Sequence, residues 1–348
     1  VIYPVARLEG VPATYMSAFR APGRKGFDNQ LVKRFPNITD VDMTATINQV
    51  RKRPTRTFQA NAALRIGTHE LRRAELDVSG PLAFDGKLRG RFVAARQQAK
   101  SFRPLYEQDL GAVYGILEAD LGPATVLAIG HERQKSDPRG STWGTVPYWN
   151  ADGSLANMPH DLNLSTPWAS WNLLEEKTFA TLEHRFNRNW RLRAGWTTAD
   201  REQDGSLYFG YGGYPRPDGS GITVAYGRFP ANETMDVLEW NIDGKFNLFG
   251  RQHDLVFGWG KAERETVSPR ITLGAVPAGY GAIPDWRSWS GDVPEFPTTV
   301  GAVPTSIGQV DQKAAFLATR LNLSDALKAV VGVRHGKYTT NTRNFSAA

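Results

Sequence analysis

At 348 residues the chain is long enough for one large or two ordinary domains. Cysteine is absent, which excludes thiolate metal sites, cysteine nucleophiles and disulfides. The formal charge of +7 and a pI of about 9.5 would fit a nucleic-acid binder, but the arginines alternate with apolar residues and form no compact patch, so no nucleic-acid partner is expected.

No run of about 18 apolar residues is present, which excludes a membrane helix. A mean hydropathy of -0.42 has the look of a soluble protein. Alternating strands, however, hide an apolar band in the average. The chain begins with Val and shows no charged-then-apolar leader, so either a secretory signal has been removed or the N-terminus is truncated.

From residue 55 onward one unit repeats: an alternating segment of roughly 10–12 residues, then a turn. Arg56–Gly67 sets Phe58, Ala60, Ala62, Leu64 and Ile66 against Gln59, Asn61 and Arg65. The next segment sets Ala74, Leu76, Val78 and Leu82 against Arg73, Glu75, Asp77 and Ser79. A third opposes Leu88, Phe92 and Ala94 to Arg89 and Arg91, and a fourth Val113, Leu117 and Leu121 to Tyr114, Glu118 and Asp120. Later segments fall near 125–135, 176–187, 190–201, 234–246, 253–263, 312–322 and 326–337, which makes about eleven strands.

The connections alternate in length. Asp85-Gly86, Gly122-Pro123, Asn187–Asn189, Phe249–Arg251 and Asn322–Asp325 are short. On the other side, a brief turn near 67–71 is followed by long connections at about 98–109, 136–175, 202–233 and 264–311. Short turns on one side and long loops on the other are the asymmetry of outer-membrane barrels. A sandwich has turn signals at both ends without this alternation, and no blade-length repeat marks a propeller. The expected fold is therefore all-β, a transmembrane antiparallel β-barrel.

Several motifs carry a family resemblance. Thr44-Ala45-Thr46-Ile47-Asn48-Gln49-Val50-Arg51-Lys52-Arg53-Pro54-Thr55 resembles the last plug strand of TonB-dependent siderophore receptors. Ala74–Leu82 and Tyr114–Leu121 resemble their second and fourth barrel strands. Asp137-Pro138-Arg139-Gly140 with Trp143, then Trp168-Ala169-Ser170-Trp171, is similar to the long third outer loop of ferripyoverdine-type and related hydroxamate receptors, and Phe179–His184 continues the match. The resemblance implies the end of a plug over 43–54 and barrel over 55–348, with 1–42 unassigned as a poorly matching plug remnant. Barrels of this kind have about 22 strands, so half of one is expected here. An open barrel would leave backbone donors and acceptors facing lipid, so a fragment is expected.

The same resemblance implies the ligand. A ferric siderophore is bulky and hydroxylated, and its capture needs aromatic surfaces, a few cations and hydrogen-bond donors. Trp143 and Trp171 match pocket positions, with Trp168, Tyr148 and Arg139 as further candidates. Tyr208, Tyr211 and Tyr214 are expected to pack within their own loop, and Trp190, Trp196, Trp240 and Trp259 to anchor the membrane interface. Arg51 and Arg53 at the plug end, with Glu75, Asp77 and Glu118 on the strands, are expected to hold plug to barrel; generic lumen polarity is the alternative.

The six histidines show no paired metal spacing, and no phosphate loop or nucleophile elbow is present, so no enzyme and no protein-bound metal or cofactor is expected. The resemblance implies active import of iron carried as a ferric siderophore chelate, with the TonB-ExbB-ExbD complex as energy-transducing partner and outer-membrane lipid as surroundings. The alternatives are a passive porin and a receptor that also signals to transcription.

Overall fold

In the computed structural model, residues 51–143, 146–276 and 278–346 are described. The chain divides into two units at Lys52/Arg53, and the fold described is that of the second, Arg53–Ala348. The readings made over 1–42 and 44–50 lie outside the described residues.

The second unit is built from β1 (Gln59–Gly67), β2 (Leu71–Ala83), β3 (Leu88–Lys100), β4 (Glu107–Gly122), β5 (Thr125–Ser136), β6 (Ser170–Arg185), β7 (Trp190–Gly213), β8 (Ile222–Arg228), β9 (Ala231–Leu248), β10 (Arg251–Ser268), β11 (Ile271–Leu273), β12 (Ala282–Ile283), β13 (Thr298–Val300), β14 (Ser306–Asn322) and β15 (Lys328–Asn344). Eleven of them form one antiparallel wall in the order β1-β2-β3-β4-β5-β6-β7-β9-β10-β14-β15. Each of those wall strands matches an alternating segment read from the sequence. No described helix is long and apolar enough to cross a membrane.

Register carries one apolar face across the whole wall. Ala60 stands opposite Val78, Val78 opposite Phe92, and Gly90 opposite Leu117. The row continues through Leu117–Ile129, Ile129–Ala180, Ala180–Trp196 and Trp196–Leu238. Trp240 faces Trp259, which faces Ala315. Leu64 is 85% exposed and Leu117 52%, so this face is not covered by protein. Apolar rows left bare on one side of a long sheet are what lipid covers. Trp190, Trp196, Trp240 and Trp259 all fall on this face by alternation.

The opposite face is charged. Asp77, Ser79, Arg89, Arg91, Glu118 and Glu183 lie on it, together with a small apolar cluster of Tyr114, Ile116, Ala128 and Phe179. Phe179 sits where Gly130 has no side chain: a Cβ there would come within 2.4 Å of the ring.

The structure departs from the sequence reading in the long connections. Strands β3 and β4 reach further than expected and leave only residues 101–106 between them. Residues 202–233 are not all loop: β7 continues to Gly213, and β8 pairs back along it. Gly205, Gly210, Gly212 and Gly213 interrupt the apolar alternation there, which is why the pattern ends early in the sequence. β12 adds to β8, so the connection after β10 is knitted to the one after β7.

These outer connections hold the larger core of the described residues. Leu164, Tyr208, Ile222, Tyr280, Ile283 and Phe296 are buried together, from three separate loops. Tyr208 stacks on Trp289 at 5.7 Å, and the Trp289 indole N–H donates to the Ser165 carbonyl at 2.8 Å. Packed aromatic rings with their polar tips satisfied make such a cap rigid.

Candidate ligand-binding site

The start and end of the connection between β5 and β6 are stitched together by backbone. Arg139 exchanges hydrogen bonds with Glu107 (2.9 and 3.1 Å), and the Ser141 N–H donates to the Ala169 carbonyl at 3.1 Å. The Asn163 amide donates to the carbonyls of Pro104 (2.9 Å) and Gly140 (3.0 Å). Gly140 has φ +62°, and a Cβ on it would lie 2.0 Å from the Leu105 carbonyl oxygen. Only glycine fits that approach.

This stitching delivers Trp143 to Trp171. Their rings meet edge to face with centroids 5.3 Å apart. Trp143 also meets Phe229 edge to face at 5.4 Å and tilts over Phe209 at 6.2 Å. Phe209 in turn contacts Tyr211 at 6.2 Å. Trp171 is on the inward-facing side of β6 by alternation with Phe179 and Glu183, and Gly205 stands opposite it. Trp143 is 59% exposed and Tyr211 76%. The result is a row of aromatic rings at the outer end of the wall, partly packed on one another and partly open.

The other three mouth candidates lie elsewhere. Trp168 packs edge to face on Phe296 at 5.5 Å, and its indole N–H donates to the Val293 carbonyl at 2.7 Å. Its geometry is that of a member of the loop core. Tyr148 is exposed and meets only its neighbour Trp149, at 5.2 Å, among the described ring contacts. Arg139 exposes its side chain while its backbone makes the stitch. Tyr208 packs within the loop core, whereas Tyr211 extends the aromatic row. Phe209 and Phe229 were not foreseen. The signal for Phe209 was its place in the aromatic run Tyr208-Phe209-Gly210-Tyr211.

On the inward face, Arg53 donates to Glu118 at 2.7 Å and to Glu183 at 2.8 Å. Glu118 is buried and shared with Arg89, at 2.7 Å. Arg89 is itself buried and also grips Asp120 through both terminal nitrogens at 2.7 Å. Thr55 adds a backbone N–H to the Ser79 hydroxyl at 2.8 Å, and Arg91 donates to the Arg53 carbonyl at 3.0 Å. The chain entering β1 is thus clamped across β2, β3, β4 and β6. Asp77 takes a two-pronged contact from Arg91 at 2.8 and 2.7 Å. Glu75 pairs with Arg73 and, at 3.7 Å, with Arg65. Arg51 belongs to the first unit. Among the described residues no group of side chains could hold a metal ion.

A membrane-spanning wall, a charged inward face and an aromatic outer mouth define a section of a receptor-type barrel. Residues 108–348 match the family described as "TonB dependent receptor-like, beta-barrel", and the chain belongs to that family, whose place is the bacterial outer membrane. It is 33% identical over 304 residues to the ferripyoverdine receptor of Pseudomonas aeruginosa, covering 83% of this chain and 35% of that protein. It is 33% identical over 297 residues to the ferric-pyoverdine BN7/BN8 receptor of Pseudomonas putida, covering 84% and 36%. The crystal structure of the ferripyoverdine receptor of the outer membrane of Pseudomonas aeruginosa bound to ferripyoverdine superposes with a TM-score of 0.77 at 30% identity, over 88% of this chain and 41% of that one. The chain therefore spans little more than a third of the length of the curated relatives it matches.

Proposed function

We propose that this chain is part of an outer-membrane receptor for active import of a ferric siderophore, with a pyoverdine-like chelate as the substrate class. The observation that carries the reading is the aromatic row centred on Trp143 at the outer end of the wall. Two exposed or half-exposed indoles, held by a backbone stitch, offer flat apolar surfaces to the edges of a chelate and ring N–H groups as donors. The identity to ferripyoverdine receptors supports the same substrate class. Trp143 and Trp171 are the ligand contacts in this reading, with Tyr211 and Phe229 extending the surface and the buried Phe209 backing Trp143. Trp168 supports the loops, and Arg139 presents a cation at the mouth.

In the same reading, residues 43–54 end a plug and the wall begins at about 55. Arg53 then holds the plug end through Glu118 and Glu183, and Asp77 adds to that hold through Arg91, which also donates to the Arg53 carbonyl. Ligand captured at the mouth passes inward when the plug is moved by an inner-membrane TonB-ExbB-ExbD complex. The iron stays chelated throughout, so the protein needs no metal ligands of its own.

An iron-starved strain lacking the intact gene should lose uptake of one ferric siderophore and regain it on complementation. Unchanged uptake across a broad panel would defeat the proposal. A passive porin would instead give a large steady current in planar bilayers, where a plugged receptor stays nearly closed.

A further inference from the structure

On the lipid-facing side, Trp259 of β10 and Ala315 of β14 face each other. One step further outward the same face carries Lys261, Lys313 and Lys337. Register sets Lys261 directly opposite Lys313, and Lys313 directly opposite Lys337. Three cations side by side on neighbouring strands repel one another, and like charges directly opposite destabilise a sheet.

The carboxylates nearby do not remove the puzzle. Asp236 faces Glu263, and Glu263 faces Asp311, forming a second row one step beyond the lysines. Lys261 reaches Glu263 at 2.6 Å and Lys313 reaches Asp311 at 3.6 Å. Lys337 makes no ion pair among the described residues. Neutralising each row within the sheet would call for signs that alternate from strand to strand. Here the signs are sorted by height above the apolar band instead. Such sorting suits a surrounding layer that is itself stratified, with anionic groups just above the hydrocarbon.

We infer that Lys261, Lys313 and Lys337 form a docking row for the phosphate of a lipid headgroup in the outer leaflet. The row is continuous with the lipid-facing band below it, so a lipid whose chains cover Trp259 and Ala315 would carry its phosphate to the lysine level. Lysine stems can lie along the apolar surface while their ammonium groups meet that phosphate. The side chains of Lys261 and Lys313 remain 31% and 49% exposed, which leaves them open to such a partner.

The test uses the intact protein in detergent, titrated with diphosphoryl lipid A, with the same lipid stripped of both phosphates, and with inorganic phosphate as competitor. The phosphorylated lipid should bind at least about tenfold more tightly than the stripped one. Replacing all three lysines by Gln should abolish that difference, and replacing all three by Arg should keep it. Inorganic phosphate should not displace the lipid. Equal binding of the two lipids by the unaltered protein, or an unchanged preference in the Gln variant, would overturn the inference. So would displacement by inorganic phosphate, which would indicate a free-anion site. Should the Gln variant fail to assemble, the comparison of the two lipids on the unaltered protein still decides.

Discussion

Trp143 lies near the start of the connection between β5 and β6 and Trp171 at the start of β6, yet their rings meet edge to face at 5.3 Å. Because each ring supports the other, their contributions to ligand binding are coupled. Replacing either with Ala should weaken binding of a ferric siderophore by about 1–3 kcal/mol. The double variant should lose less than the sum, because residues in contact are not additive. Strict additivity in titrations of the purified intact receptor would show that the two rings act separately.

Gly140 controls where Trp143 stands. An alanine there would meet the Leu105 carbonyl oxygen at 2.0 Å and adopt φ +62°. Backbone strain of this kind costs about 1–3 kcal/mol, and here the loop must also move. Gly140→Ala should lower siderophore affinity while the wall strands assemble normally, read by heat-modifiable migration in gels. An unchanged affinity would mean that the stitch does not position the indole.

The clamp on the inward face ranks its members by burial. Glu118 is 6% exposed and shared by Arg89 and Arg53. Glu118→Gln leaves the buried Arg89 with less compensation, and breaking a buried pair costs about 3–5 kcal/mol. Arg53 has a side chain 47% exposed, so Arg53→Gln should cost no more than about 1 kcal/mol. Denaturant unfolding of the intact barrel should therefore show a much larger loss for Glu118→Gln than for Arg53→Gln. Equal losses would contradict the ranking.

The outer loops carry an acid-sensitive tie. Arg287 donates to the carbonyls of Pro217 (3.0 Å) and Asp218 (2.5 Å), bridging two connections, while Asp285 holds its guanidinium. The hydrogen bonds from Arg287 hold the Asp285 carboxyl below its ordinary value of 3.8. A depressed folded-state value gives stabilisation that is present above the unfolded value and lost as pH falls through the folded one. Protease cutting in 214–221 or 284–292 should rise below about pH 4, and Asp285→Asn should raise cutting already at neutral pH. A cutting rate independent of pH in the unaltered protein would remove this tie from the account.

The wall was legible because period-two alternation maps directly onto strands with one face in lipid. Leu117 and Glu118 already announce two faces, and register only joins them to Ile129 and Ala128. The loop core was not legible, because Leu164, Tyr208, Ile222 and Phe296 come from three connections and obey no common period. The pairing of Arg89 with Glu118 and Asp120 was hidden for a related reason. It depends on which residues β3 and β4 bring opposite each other, and Arg89 faces Glu118 only in the register observed. At the mouth, Trp143 and Trp171 were reachable through family likeness, whereas Phe229 owes its place to β8 folding back on β7.

The most direct test of the central claim is the intrinsic fluorescence of the purified intact receptor during titration with ferric siderophores of different classes. Saturable quenching by a ferric pyoverdine-like chelate, weakened in both Trp143→Ala and Trp171→Ala, is the predicted result. If no ferric siderophore gives saturable quenching, or if both variants bind as the unaltered receptor does while assembling normally, the aromatic row is loop packing and the receptor reading of this mouth is wrong.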